Sequence, residues 1–144
     1  MGRSLETFSA LAASGGIPKV RVHGRKTDVD YQELLNQCKV GLALKPNHGP
    51  LAATTFPSKV IEFASAGLLV ITTDISDVRE VLGHGAMYLT KNDSRELIAL
   101  LRHVVEKPVQ AYTRAEVGLR NVLQRCSPDQ AGHAMAEFIF GTRP

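Results

Sequence analysis

Hydrophobic positions along the chain alternate between short apolar runs and stretches with helical spacing. The spacing predicts a helix over Leu5–Ala13, closed by Gly15, Gly16 and Pro18. Lys19–His23 reads as a strand ending at Gly24, and Asp30 with Glu33 as a capping box for a short helix over Tyr31–Gln37. Val40–Leu44 is the second strand, nearly all apolar, as expected where both faces of a parallel sheet are covered. After the turn-rich Pro46–Pro50, Pro57 stands at the first position of a helix over Ser58–Ala66 that ends at Gly67. Leu69–Thr73 is a third strand, Asp77–Leu82 a short helix opened by Ser76 and Asp77, and Ala86–Thr90 a fourth strand. Asp93 and Glu96 cap a long helix with Leu97, Ile98, Leu101, Val104 and Val105 on one face. Helices over Tyr112–Arg125 and Pro128–Phe140 complete the chain, the last started by Ser127-Pro128-Asp129-Gln130. Strand–helix alternation of this kind predicts an α/β fold: a parallel sheet of about four strands, right-handed crossovers, and sequential strands as neighbours.

At 144 residues the chain suits a single domain, and its 44% hydrophobic content is enough for a core without disulfide or metal staples. No apolar run approaches the ~18 residues of a membrane span, and Met1–Gly15 lacks the apolar region of a signal peptide. Cys38 and Cys126 form no C-x-x-C motif, so a reduced, cytoplasmic setting with no metal is expected, the two thiols serving as buried apolar filler. The formal net charge of +3 belongs to residues 1–72, where eight Lys+Arg face five Asp+Glu. These cations are spread singly among few aromatics, which argues against nucleic acid and for a small anionic ligand.

In open parallel sheets ligands bind beyond the carboxyl ends of the strands. There the segment Thr54–Gly67 places Ser58 and Lys59 in a first helical turn. A cation at that end opposes the helix dipole, and a bound phosphate reverses the sign of the interaction. Glu62, one turn on, can accept two hydrogen bonds from a ribose diol. The plainer alternative is that Lys59 and Glu62 form a surface i,i+3 pair. His23 reads as a packing residue, His48 as a possible donor contact in the loop after the second strand, and Arg114, Arg120 and Arg125 as a solvated helix face. His84, His103 and His133 show no metal-ligand spacing, and no G-x-G-x-x-G follows a strand.

The string Phe56–Ile71 resembles the donor-binding signature of GT-B fold glycosyltransferases of the group 1 (retaining) family: a Glu-x7-Glu motif, a small-residue helix, a glycine and a hydrophobic strand. The strand–helix–strand order of Val20–Leu44 and the elements over Asp77–Leu101 are compatible with it. The resemblance implies a Rossmann-like domain over residues 1–144, part of a C-terminal nucleotide-sugar-binding domain and truncated, with helix 128–140 crossing back toward a partner domain. Its function would be transfer of a sugar from a nucleotide-diphosphate donor, a substrate and not a cofactor, to an acceptor. Carried over by position, Glu62 would hold the ribose, Ser58 and Lys59 the diphosphate, and the Gly24–Arg25 loop the base. Thr54 stands where the family's first motif glutamate would contact the sugar, and Pro57 where a glycine is common. The acceptor-binding N-terminal domain, in the same or another chain, is the implied partner, and the chain by itself is expected to be inactive. The full enzyme is expected in the cytoplasm or at the inner membrane face. The alternative is a non-catalytic nucleotide-binding or protein-interaction module that kept the fold. The truncation also implies self-association through an exposed sheet edge at Val20–His23.

Overall fold

The computed structural model describes residues 21–49, 52, 56–91 and 93–141, and the chain divides into two compact units, Met1–Leu34 and Leu35–Pro144. In chain order the elements are α1 (Asp28–Gln37), β1 (Val40–Ala43), α2 (Lys59–Ser65), β2 (Leu69–Thr73), α3 (Val78–Leu82), a 3-10 turn (Gly83–Gly85), β3 (Ala86–Leu89), α4 (Ser94–Glu106), α5 (Pro108–Arg125) and α6 (Pro128–Phe140). The expected helix over Leu5–Ala13 lies outside the described residues.

The three strands form a parallel sheet in the order β1-β2-β3, with Val40 opposite Leu69 and Val70 opposite Ala86. Consecutive strands are neighbours because each crossover carries one helix or two short ones. β2 is buried along its whole length, which is why its sequence reads as a run with no polar alternation. Val70 faces a core made with Val60, Ala64, Val78, Leu82 and Val122, from α2, α3 and α5. Leu69 and Ile71 face the other core, with Met87 and Leu89 and with Leu97, Leu101 and Val104 of α4 packed against them. At β2 the sheet is therefore covered on both faces, as a Rossmann-like α/β arrangement requires, whereas Leu42 of β1 and Leu44 after it are exposed despite the expectation that both faces are covered there.

Among the described residues the sheet has three strands, where about four are expected. Arg21–His23 carry no strand, and Val20 lies outside the described residues. Arg21 and His23 are exposed there, and period-two alternation fits any extended backbone that lacks a ladder partner. Within the described sheet the edge strands are β1 and β3. The capping box is corrected as well. Thr27 Oγ1 accepts the Asp30 N–H at 3.2 Å, so α1 begins three residues earlier and Asp28 and Asp30 fall in its first turn, where carboxylates suit the helix dipole.

Pro57 precedes α2 rather than opening it, with its carbonyl accepting the Val60 N–H at 2.9 Å. At the other end the Leu68 N–H reaches the Phe63 carbonyl and the Gly67 N–H the Ala64 carbonyl, the paired bonds of a Schellman stop. Gly67 adopts φ 74° there, a value side chains disfavour. α5 starts at Pro108, four residues before the expected Tyr112. Two of its three arginines are not merely solvated: Arg114 donates to the carbonyls of His84 and Ala86, and Arg125 donates to that of Glu80. Cys38 and Cys126 are half-buried and unbridged, Cys126 against the first core and Cys38 one residue beyond α1. No helix among the described residues is long and apolar enough to cross a membrane.

Candidate functional site

The carboxyl ends of the strands are tied together by side chains. Thr72 and Thr73 close β2, both fully buried in a strand otherwise apolar. A buried hydroxyl is costly unless bonded, and each finds a partner on the segment after or within β1. Thr72 Oγ1 donates to the Ala43 carbonyl at 3.0 Å. Thr73 Oγ1 accepts the Lys45 N–H at 2.8 Å and donates to the Lys45 carbonyl at 2.7 Å. Asn47 Nδ2 then donates to the Thr90 carbonyl at 3.0 Å, linking the loop after β1 to the one after β3. The Glu96 carboxylate accepts the Thr90 N–H, the Thr90 hydroxyl and the Lys91 N–H, at 2.9–3.0 Å. Asp93 caps α4 as expected, accepting the Glu96 N–H at 2.7 Å.

Against this platform lies a cavity of about 210 Å³ lined by Leu42, Ala43, Leu44, Lys45, Pro57, Ser58 and Lys59. Leu42 and Leu44 form its apolar wall, Pro57 is buried, and Ser58 and Lys59 are exposed. Ser58 takes the N-cap position of α2, but its hydroxyl makes no capping bond; its carbonyl accepts the N–H groups of Ile61 and Glu62. Lys59 Nζ stands 2.5 Å from Glu62 Oε2, with 56% and 30% of the two side chains exposed. Glu62 thus points neither into the core nor into the cavity lining. The surface-pair reading of Lys59 and Glu62 is what this structure contains.

Pro57, Ser58 and Lys59 are brought to one cavity, and Glu62 is joined to it through Lys59. His48 is exposed in the loop after β1 and does not line the cavity. Gly24, with φ 65°, and Arg25 belong to the other unit, and both are exposed. Thr54 lies outside the described residues. Sequence reasoning missed Lys45. The signal was a cation just past the carboxyl end of an apolar strand, followed by a proline that ends the run.

Asp74, after β2, is committed elsewhere. Arg79 Nε donates to Asp74 Oδ1 and Oδ2 at 3.2 and 3.0 Å, and Arg79 Nη2 to Oδ2 at 2.6 Å. The Arg79 guanidinium lies 4.0 Å from the centroid of the Tyr88 ring, whose hydroxyl donates to the Gly83 carbonyl at 2.7 Å. The bond to Asp74 raises the Arg79 pKa above its ordinary value, and burial raises that of Tyr88. Asp77 takes the N-cap position of α3 without a side-chain cap, in place of the expected Ser76–Asp77 opening. Among the described residues no three His, Cys, Asp or Glu side chains converge as a metal site would require.

A parallel sheet with helices on both sides and a cavity at its carboxyl edge defines an open α/β domain. Residues 1–107 match the family described as glycosyl transferases group 1, and the chain belongs to that family. No curated protein and no solved structure matches the chain significantly. The chemistry of the family is glycosyl transfer.

Proposed function

We propose that the second unit binds the nucleotide-diphosphate part of a sugar donor in the cavity at the end of β1. The observation that carries this reading is the convergence of Lys45, Ser58 and Lys59 on one cavity at the carboxyl edge, with Glu62 one turn along α2. Two ammonium groups and a hydroxyl match a diphosphate, and they neutralise the charge that builds on it as the glycosidic bond breaks. The Lys59–Glu62 pair does not oppose this. An exposed i,i+3 pair is worth only about 0.2–0.5 kcal/mol, so a diphosphate readily draws Lys59 away and leaves the Glu62 carboxylate to a ribose diol. By its position in the sequence Thr54 takes the place of the family's sugar contact, His48 is assigned to the donor from its place in the loop after β1, and Pro57 lines the cavity. The acceptor then comes from a further domain, in this chain's full-length form or in another protein. The exposed apolar side chains of α6, Met135, Phe138, Ile139 and Phe140, support a surface that such a domain covers.

Calorimetric titration with a panel of nucleotide sugars tests the reading. Micromolar to millimolar binding that Glu62→Ala removes is expected. Failure of every donor to bind would instead favour a module that kept the fold for protein contacts.

A further inference from the structure

Thr72 and Thr73 sit side by side in the same buried strand end, yet their hydroxyls serve different segments. Thr72 fastens β1 itself, through the carbonyl of its last residue, Ala43. Thr73 fastens a residue beyond the strand. Its single oxygen holds both backbone polar groups of Lys45, the N–H at 2.8 Å and the carbonyl at 2.7 Å, 28 positions upstream. No sheet ladder supports Lys45, because the β1–β2 register ends at Ala43 opposite Thr72. The Thr73 hydroxyl thus anchors the chain at Lys45 just beyond the ladder, and Lys45 lines the same cavity as Ser58 and Lys59.

We propose that Thr73 is a positioning residue for anion capture: by pinning the backbone of Lys45 it presents the Lys45 ammonium to the cavity as a second cation beside Lys59. The inference rests on the donor-diphosphate reading of that cavity. A lysine carries its charge on a flexible four-carbon stem, and fixing the base of that stem removes part of the ordering cost that binding otherwise meets. A valine at position 73 keeps the shape of the side chain and loses both bonds, so the apolar core is undisturbed while Lys45 is released.

The test is a calorimetric titration of the chain with inorganic pyrophosphate, then with UDP, ADP and GDP in turn. Wild type is compared with Thr73→Val, Thr73→Ser, Lys45→Met and the Thr73→Val/Lys45→Met double variant, each checked for folding by thermal melting. Thr73→Val is expected to weaken pyrophosphate binding about tenfold, the scale of one hydrogen bond to a charged group. Thr73→Ser restores most of the affinity, and Thr73→Val causes no further loss once Lys45 is methionine. Equal losses from Thr73→Val in both backgrounds, or a Lys45→Met protein that binds like wild type, overturn the positioning role and leave the donor reading standing. A wild-type protein that binds none of the four ligands overturns both. Should Thr73→Val not fold, Lys45→Met decides alone, since a lysine that contributes nothing leaves Thr73 nothing to position.

Discussion

Tyr88 shows how opposing forces on one side chain are resolved. The cation of Arg79 over its ring favours the phenolate, while burial favours the neutral phenol, and burial wins. A pKa raised in the folded state means stability fully present below the unfolded value of about 10 and lost as pH rises through the folded value. Tyr88→Phe deletes this titration together with the bond to the Gly83 carbonyl. Urea unfolding across the alkaline range is expected to show stability lower by about 1 kcal/mol at neutral pH and a shallower decline above about pH 10. An unchanged alkaline decline would contradict the assignment. At the candidate site the residue-scale balance is similar: Lys59 and Glu62 pair at 2.5 Å on the helix surface, and an exposed pair of this kind is weak.

Between elements, α5 packs closely against the 3-10 turn before β3. A Cβ added to Gly118 would stand 2.7 Å from the Gly85 carbonyl oxygen, and one added to Gly85 would stand 2.3 Å from the Gly118 Cα. Both obstacles are backbone, so no rotamer change relieves them. Gly118→Ala is expected to cost about 3 kcal/mol, read as a lower midpoint in urea; a midpoint equal to wild type would show that α5 can slide away. Arg114, Asn121 and Arg125 add donors from α5 to the carbonyls of His84, Ala86, Leu82 and Glu80. These arginines looked like a solvated face because a helical repeat reveals which residues share a face, not which distant carbonyls that face will meet. Strands β2 and β3 were legible for the opposite reason, since a strand buried on both sides is written as an apolar run such as Leu69–Val70–Ile71; β1 reads as the same kind of run, though Leu42 is exposed. The caps Asp93 and Ser127 were legible too, each accepting the N–H three residues on. Arg21–His23, the described part of the expected strand over Lys19–His23, carries none, since alternation by itself supplies no ladder partner. At the candidate site, the start of α2 at Ser58 and Lys59 and the surface pair of Lys59 with Glu62 were legible from spacing. Lys45 was not, because its place depends on Thr73, 28 positions away.

At the scale of the whole molecule, the family match sets glycosyl transfer as the family's chemistry, and the cavity proposed for the donor lies at the carboxyl edge of the sheet. A second cavity, of about 380 Å³, lies at the amino edge and is lined by Cys38, Val40, Leu69, Ala111, Tyr112 and others. It is larger, but open α/β sheets place ligands at the carboxyl edge, where loops and helix starts supply polar groups. The two sites can be told apart directly. Amide chemical shifts followed by NMR during titration with UDP-, ADP- and GDP-sugars should move first at Lys45, Ser58, Lys59 and Glu62, and saturate together. Shifts that gather instead around Cys38 and Tyr112, or none with any donor, would contradict donor binding at the end of β1.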